Sequence, residues 1–261
     1  METAQKLNEF FCAFAGAPRP LLLTDYDGTL AAFRIDRFKA RPWAGVQQML
    51  SRIQTEGRAR IAVITGRPAA EIPRMLTLDP APEVWGLHGA ERLYPDGRDE
   101  LETIAASTQA KLDELRAQLK EDAFGGLFED KANAVVMHWR GHPPEEAHAI
   151  ESRTRALFEP IAQLDGLALL KFEAGLELRA GRDKGGAARA ILREEDPRSP
   201  VAFLGDDLTD EAAFQAVNEA PGPHLSVLVR HAKRKTVADV WLKPPQALRD
   251  FLQRWLEASK S

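Results

Sequence analysis

The sequence predicts an α/β fold in which a Rossmann-like parallel-sheet core is interrupted by a smaller α+β domain. Three short apolar segments, residues 21–24, 60–64 and 201–204, are typical of buried strands, and each ends in reactive polar side chains. Helical periodicity separates the first two segments, and alternation of strands with helices is typical of a parallel sheet. Between residues 103 and 181 the pattern changes to helix-strand-strand-helix-strand, which is typical of an α+β domain.

The first part of the predicted core alternates strands and helices. The helical spacing of Leu7, Phe10, Phe11 and Phe14 predicts an amphipathic N-terminal helix, and the turn signal at residues 94–98 predicts a hairpin. The other elements expected here are a strand over 21–24, a helix over 43–56, a strand over 60–64, a helix over 68–76 and a strand over 84–88.

The domain boundaries follow from the change of pattern. The core is expected to comprise residues 1–102 and 182–261, and the inserted domain residues 103–181. The inserted domain should contain a helix over 103–120, strands over 127–131 and 133–140, a helix over 145–160 and strands within 168–179. The core should then resume with a helix from 184, a strand over 201–204, a helix over 210–217, a strand over 225–229 and a helix over 247–256.

The composition argues against several classes of function. The formal net charge is −4, so there is no broad basic field to attract nucleic acid or an anionic membrane surface. Cys12 is the single cysteine, so no internal disulfide framework can form. No apolar run approaches the ~20 residues of a membrane helix. We therefore expect a cytoplasmic, monomeric protein that binds a small molecule, with neither a nucleic-acid nor a membrane partner.

Two acidic pairs follow the first and the last of the three apolar strands. They are Asp25 with Asp27, and Asp206 with Asp207. An Asp-x-Asp-Gly sequence is by itself an ordinary turn, but ligands bind at the carboxyl ends of parallel strands, and Gly28 permits close backbone approach. Four carboxylates at one edge repel one another unless a cation is present, and oxygen ligands favour Mg²⁺.

The first acidic pair can supply covalent catalysis. A carboxylate such as Asp25 can attack phosphorus and form an aspartyl-phosphate, which divides one difficult step into two. Asp27 can protonate the leaving oxygen and later take a proton from the attacking water. The charge of a phosphate dianion then has to be neutralised by Mg²⁺, a lysine and backbone amides.

Two further motifs lie near predicted element boundaries. The second strand ends in Thr65-Gly66-Arg67, and Lys184 opens a helix after the inserted domain. Thr65 fits an ordinary helix cap, and it equally places a hydroxyl and backbone amides where a phosphate would lie. A surface lysine usually has no special role, but Lys184 lies just upstream of the second acidic pair. These patterns fit both the structural and the functional interpretation.

Four motifs occur in a fixed order along the chain. They are Asp25-Tyr26-Asp27-Gly28-Thr29, Thr65-Gly66-Arg67, Lys184-Gly185 and Gly205-Asp206-Asp207-x-Thr209-Asp210-Glu211. Together they resemble the haloacid dehalogenase superfamily of phosphatases. Residues 85–92, 128–131, 137–140 and 176–179 extend the resemblance, more closely, to the trehalose-6-phosphate phosphatases. The resemblance implies a haloacid dehalogenase-like core, an inserted cap domain that reads the substrate, and Mg²⁺-dependent hydrolysis of trehalose 6-phosphate.

The resemblance also implies roles for individual residues. Asp25 would be the nucleophile and Asp27 the general acid and base. Thr65 and Lys184 would complete the catalytic set by binding the phosphate. Mg²⁺ would be held by Asp25, the backbone oxygen of Asp27 and Asp206, with Asp207 or Asp210 nearby. The implied substrate-binding residues are Gly28, Thr29, Gly66, Arg67, His88, Gly89, Glu129, Lys131, His138, Arg140 and Glu177.

Strand periodicity in the inserted domain predicts a charged sheet face. Three pairs lie two residues apart and so share a side of their strand, namely Glu129 with Lys131, His138 with Arg140, and Glu177 with Arg179. Such a face can hydrogen-bond a sugar, and it can equally be a solvated face with ion pairs. Glu173 stands where many family members carry a lysine, and Lys171, of the same strand parity as Glu177, is a candidate substitute.

Other functions fit part of the pattern. One is a phosphatase of the same fold that acts on another sugar phosphate, such as glucosyl- or mannosyl-glycerate phosphate or sucrose phosphate, and another is a sugar phosphomutase. A signalling receiver domain also collects acidic residues at strand ends, but it has ~120 residues and needs no inserted domain. A structural role leaves the clustered carboxylates unexplained. The basic residues 231–235 are interpreted as a solvated loop.

Overall fold

The computed structural model describes residues 2–34, 36–57, 59–121, 125–131, 133–164, 166–172 and 174–260. These residues form two compact units. The first unit extends to Leu101 and resumes at Arg182, and the second runs from Glu102 to Gly181. In the part of the chain described, no helix is both long enough and apolar enough to span a bilayer.

The bounds of the elements are as follows. In chain order the strands are β1 (Leu21–Thr24), β2 (Arg60–Ile64), β3 (Glu83–Gly86), β4 (Glu91–Leu93), β5 (Asp99–Leu101), β6 (Phe128–Lys131), β7 (Ala134–His138), β8 (Leu167–Phe172), β9 (Gly175–Ala180), β10 (Val201–Gly205), β11 (His224–Val229) and β12 (Val240–Leu242). The α-helices are α1 (Glu2–Cys12), α2 (Val46–Thr55), α3 (Ile72–Met75), α4 (Ala106–Glu121), α5 (Pro144–Ala162), α6 (Lys184–Leu192), α7 (Glu211–Asn218) and α8 (Gln246–Ala258).

A largely parallel sheet forms the centre of the first unit. Its strand order is β12-β11-β10-β1-β2-β3-β4-β5. The strands from β12 to β3 are parallel to their neighbours, and β4 and β5 add an antiparallel edge. Parallel strands require crossover connections, which place helices over both faces of the sheet.

The leucines of β1 show why this strand is apolar throughout. Leu22 packs with helices α1, α2 and α8, in a cluster that includes Trp255. Leu21 and Leu23 point to the other face, where Phe203 packs with helices α6 and α7. Because β10, β1 and β2 are neighbours, their carboxyl ends lie side by side, as predicted. The predicted α/β fold with a parallel sheet is confirmed.

The second unit is an antiparallel sheet covered by two helices. Its strand order is β6-β7-β9-β8, and every pair is antiparallel. Leucines of α4, including Leu112 and Leu115, pack with Ile150 and Phe158 of α5 against residues such as Val135 on one sheet face. The predicted α+β character of this segment is confirmed.

Some elements differ from the prediction. The strand expected over 84–88 ends at Gly86, because Leu87 and His88 adopt positive φ angles of 46° and 61°. The helix expected over 68–76 is reduced to a 3₁₀ turn at 69–71 followed by α3. Strand β12 was not predicted, because three residues are too few to show a periodic pattern.

The β8–β9 hairpin places Lys171 on the helix-covered face of its sheet. The register pairs Lys171 with Leu176 and Leu170 with Glu177, and directly opposite residues share a face. Lys171 accordingly donates to Glu151 of α5 at 2.6 Å. The expectation that Lys171 shares the face of Glu177 is therefore wrong, because this hairpin pairs odd with even positions. Glu173 lies outside the described residues.

Candidate active site

A buried lysine joins two carboxylates at the carboxyl edge of the sheet. Lys184 is the first residue of α6, and Asp183 caps this helix by accepting from the amide of Gly186 at 2.7 Å. The Lys184 Nζ atom lies 2.9 Å from Asp25 Oδ1 and donates to Asp210 Oδ1 at 2.7 Å. Burial alone would lower the pKa of Lys184, but Asp210 and Asp25 reverse that effect and raise it. The lysine therefore stays charged between its two partners.

Asp206 brings a third carboxylate to this group. Oxygens of Asp25, Asp206 and Asp210 all lie within 4.8 Å of one another. Burial, opposed by Lys184, raises the pKa of Asp25 to about 7. Burial and the adjacent Asp25 carboxylate raise the pKa of Asp206 to about 9. The charge of one lysine thus does not balance the negative charge of three carboxylates. A hard divalent cation fits this set of oxygen donors.

Gly28 allows the first acidic motif to approach the second. Its φ angle is +82°, and a Cβ atom there would overlap the Asp206 carboxylate. The neighbouring Thr29 donates from Oγ1 to Asp206 Oδ1 at 3.4 Å. The predicted residues Gly28 and Thr29 therefore lie against Asp206, a member of the acidic cluster.

Asp27 forms a bidentate ion pair with Arg67. Arg67 Nε lies 2.5 Å from Asp27 Oδ2, and Nη2 lies 2.6 Å from Oδ1. Arg67 also reaches Glu71 at 3.4 Å, and Glu71 in turn pairs with Arg37. This fork-to-fork arrangement fixes the plane of the Asp27 carboxylate. The ion pair also engages the guanidinium of Arg67, a residue that the sequence suggested would bind the substrate.

The loop after β2 is held by the loop after β3. Thr65 is buried, and its hydroxyl accepts from the Arg67 amide at 3.2 Å. The His88 amide donates to the Thr65 carbonyl at 2.8 Å, and a Cβ on Gly66 would lie 2.7 Å from His88 Nε2. A Cβ on Gly89 would lie 2.7 Å from that of Ala187 in α6. These predicted substrate-binding residues thus pack against one another and against the helix that carries Lys184.

Asp210 occupies the place in the acidic cluster that the sequence offered to either Asp207 or Asp210. Its Oδ2 atom accepts from the amides of Asp206 and Asp207 at 2.8 and 2.9 Å, while Oδ1 accepts from Lys184. Asp207 instead precedes a short 3₁₀ helix over 208–210. The turn brings Asp210, four residues after Asp206, back to the strand end. In the sequence, the spacing Asp206-x-x-x-Asp210 was the signal that could have identified Asp210 as the member of the cluster.

The basic residues after β11 are not all solvated. Arg234 is partly buried and donates to the carbonyl of Asp207 at 2.6 Å. The ring centroid of His231 lies 6.0 Å from that of Trp43. The interpretation of residues 231–235 as a solvated loop is therefore wrong for Arg234.

The second unit carries charged side chains on the sheet face opposite its helices. The Lys131 Nζ atom lies 3.5 Å from Glu177 Oε2, and Arg179 Nη1 lies 3.6 Å from Glu177 Oε1. Ala134 lies between Lys131 and Arg179 in the register, and its small side chain leaves space for both to approach Glu177. His138 contacts Glu129 at 3.1 Å. This face has the donors and acceptors that a polyol requires.

Arg140 does not belong to that sheet face. Strand β7 ends at His138, and Arg140 lies in the exposed turn that follows. The expectation that Arg140 continues the alternation of His138 is therefore wrong, because the strand stops two residues earlier.

The motifs that form this site belong to a known family. Residues 23–245 match the sequence profile of a family described as trehalose-phosphatase. The chain belongs to the trehalose-phosphatase family. It is 32% identical over 253 residues to a trehalose-phosphate phosphatase of Mycobacterium marinum, covering 91% of this chain and 61% of that protein. The chain thus spans about three-fifths of the length of this curated trehalose-phosphatase relative.

Solved structures agree with membership of the trehalose-phosphatase family. A structure of Aspergillus fumigatus trehalose-6-phosphate phosphatase is 25% identical, with a TM-score of 0.73 and 97% of each chain covered. A haloacid dehalogenase-like hydrolase from B. subtilis shares the fold at 17% identity, with a TM-score of 0.61, covering 89% of this chain and 98% of that chain. The resemblance inferred from the motifs is confirmed for the family and for the haloacid dehalogenase-like fold.

Proposed function

We propose that this chain is a Mg²⁺-dependent phosphatase that hydrolyses trehalose 6-phosphate to trehalose and inorganic phosphate. The observation that supports it most is the convergence of Asp25, Lys184, Asp206 and Asp210 at one sheet edge in a member of the trehalose-phosphatase family. Perturbed carboxylates that share a buried lysine are typical of catalytic sites. We further propose that it acts in the cytoplasm as a monomer.

The proposed reaction has two displacements at phosphorus. An Asp25 oxygen forms a bond to phosphorus while the bond from phosphorus to the sugar oxygen breaks. Asp27, protonated on one oxygen that has been released from Arg67, gives the sugar oxygen a proton. Water then attacks the aspartyl-phosphate, Asp27 takes a proton from the water, and phosphate leaves with Asp25 regenerated. Lys184, next to Asp25, stabilises the negative charge of the phosphoryl group.

The acidic cluster is the proposed cation site. Asp25 and Asp206, with the backbone oxygen of Asp27, would hold Mg²⁺, and the position of Asp210 favours it over Asp207 as the additional acidic group. Bound Mg²⁺ would neutralise charge on the phosphoryl oxygens. Thr65 and the amides around Gly66 are proposed to bind the phosphate.

The two units have separate proposed roles. Residues 1–102 and 182–261 form the catalytic core, and residues 103–181 form a cap domain that selects the substrate. Glu129, Lys131, His138 and Glu177 on the charged sheet face are proposed to hydrogen-bond the sugar hydroxyls. Arg140, which is exposed beyond β7, is the weakest member of the predicted set.

The test is phosphate release from trehalose 6-phosphate with Mg²⁺ or with EDTA, beside a panel of other sugar phosphates. Selective, metal-dependent release that Asp25→Asn abolishes is the expected result. Thr24→Ser is a conservative control in β1, next to the nucleophile. Release from sucrose phosphate or a glycosyl-glycerate phosphate would retain the reaction and overturn the substrate. Isomerisation without net release would indicate a phosphomutase, and full activity in Asp25→Asn would overturn the mechanism.

A further inference from the structure

Side chains hold the backbone of the second acidic motif on both sides. Strand β10 ends at Gly205, so Asp206 and Asp207 lie beyond the sheet ladder. Asp210 accepts from both of their amides at 2.8 and 2.9 Å. Arg234 donates to both of their carbonyls, from Nε to Asp206 at 3.3 Å and from Nη2 to Asp207 at 2.6 Å. Each backbone amide and carbonyl of the two residues therefore has a side-chain partner.

The guanidinium of Arg234 is itself fixed. Its Nη1 atom pairs with Glu211 of α7 and donates to the Lys235 carbonyl at 2.9 Å. Glu211 also accepts from the Val237 amide at 2.9 Å. Arg234 therefore connects the acidic loop to both α7 and the loop after β11. A planar guanidinium can make all of these contacts at once, whereas an ammonium group cannot.

A second arginine supports the same carbonyl. Arg230 Nη1 donates to the Asp206 carbonyl at 3.3 Å, and the Arg230 carbonyl accepts from Trp241 Nε1 at 2.8 Å. Two guanidinium groups from the segment after β11 thus converge on the residue whose carboxylate is in the acidic cluster. Both contacts are made to the backbone carbonyl of Asp206 and not to its carboxylate, so the two arginines restrain the backbone in addition to offsetting the negative charge of the cluster.

We propose that Arg234 is a positioning residue for the divalent-cation site, acting through the backbone of Asp206 and Asp207. The proposal rests on the proposed function, in which the acidic cluster binds a cation. A shift of the backbone at Asp206 and Asp207 would move the Asp206 carboxylate relative to Asp25 and Asp210, and the contacts of Arg234 with both carbonyls oppose such a shift. Groups that orient the ligands of a metal without touching it change metal affinity by about 10- to 100-fold when they are removed.

Mn²⁺ binding tests this proposal without relying on turnover. Free Mn²⁺ is measured by electron paramagnetic resonance as it is titrated into wild type, Arg234→Gln and Arg234→Lys, and Mg²⁺ is then added as a competitor. We expect Arg234→Gln to bind Mn²⁺ about tenfold more weakly or worse. Arg234→Lys keeps the charge but loses the fork, so it should also bind more weakly.

The sign of the effect separates positioning from simple electrostatics. If Arg234 acted only as a charge, Arg234→Gln would bind Mn²⁺ more tightly and Arg234→Lys would match wild type, and either result would overturn the proposal. The control Lys233→Gln removes an exposed charge from the same loop and should leave Mn²⁺ affinity within about twofold, because exposed charges are screened. Melting curves in EDTA establish that each variant is folded.

The same titration separates the two levels of inference. If wild type bound no Mn²⁺, the proposed function would fail together with the role of Arg234. If wild type bound Mn²⁺ and both Arg234 variants bound it equally well, only the role of Arg234 would be overturned. Should Arg234→Gln not fold, the Arg234→Lys comparison remains decisive, because that change keeps the charge and most of the side-chain volume.

Discussion

Removal of the Arg67 side chain should impair the chemical step more than substrate binding. Arg67 is 8% exposed and its partner Asp27 is 23% exposed, so their ion pair is neither fully buried nor on the open surface. Exposed ion pairs contribute about 0–1 kcal/mol, and breaking buried pairs costs about 3–5 kcal/mol. We take a value between these limits, about 2 kcal/mol, as the rise in activation free energy when Arg67 no longer orients the Asp27 carboxylate. This rise corresponds to a fall of about 30-fold in kcat.

The assay is steady-state phosphate release by Arg67→Met with trehalose 6-phosphate. We expect the fall in kcat with a KM within about threefold of wild type, because Arg67 is occupied by Asp27 and Glu71. With p-nitrophenyl phosphate the loss in kcat should be smaller, since a good leaving group needs less help from a general acid. Arg37→Met is the matched control, because Arg37 pairs with Glu71 in the same network.

A different pattern would refute this reasoning. If Arg67→Met raised KM about tenfold and left kcat unchanged, Arg67 would bind substrate, as the sequence alone suggested. If Arg37→Met impaired kcat as severely as Arg67→Met, the effect would come from the network as a whole and not from the contact with Asp27.

Three further predictions concern the proposed cation site and the charged sheet face. Gly28→Ala should weaken Mn²⁺ binding about tenfold, because a Cβ there would displace the Asp206 carboxylate. Gly97→Ala is the control: it introduces the same backbone strain of about 1–2 kcal/mol, but its Cβ has open space. In EDTA, the melting temperature should be at least about 3 °C lower at pH 8 than at pH 6, because the raised pKa values of Asp25 and Asp206 make the folded protein bind more protons than the unfolded chain in this range. Lys131→Met should raise the KM for trehalose 6-phosphate about tenfold and leave hydrolysis of p-nitrophenyl phosphate unchanged. The control Lys111→Met, on α4, should leave both unchanged.

Each of these predictions has an opposing outcome. Equal Mn²⁺ affinity in the two glycine variants would remove the argument from the close approach of Asp206. A melting temperature that rises from pH 6 to pH 8 in EDTA would contradict the sign of the pKa shifts, and saturating Mg²⁺ should abolish the decrease. An unchanged KM in Lys131→Met would mean that the charged face of the second unit is not the sugar site.

Local sequence was sufficient for most elements of this fold. Strands β1, β2 and β10 are short apolar runs, and burial of both sheet faces in a parallel sheet requires such runs. Their order with intervening helices predicted that Asp25, Thr65 and Asp206 would meet at one edge. That inference needs only the rule that parallel strands share a carboxyl edge. It holds whatever the detailed packing of the loops.

Register and loop geometry were beyond the reach of periodicity. The expectation for Lys171 failed because parity along one strand does not carry across a turn, and the β8–β9 hairpin pairs odd with even residues. Strand β12 is too short to show a pattern, and its place at the sheet edge depends on pairing with β11. Such features depend on contacts between segments that are distant in the sequence.

The sequence by itself determined the family, the fold class and the residue types of the site. Only the tertiary structure decided which of these residues contact one another. It placed Asp210 in the acidic cluster, joined Arg67 to Asp27 and brought Arg234 to the carbonyls of Asp206 and Asp207. The physical reason is that motifs record the chemistry of single positions, whereas the partner of a long side chain depends on the path of loops that lie 28 or 40 residues away.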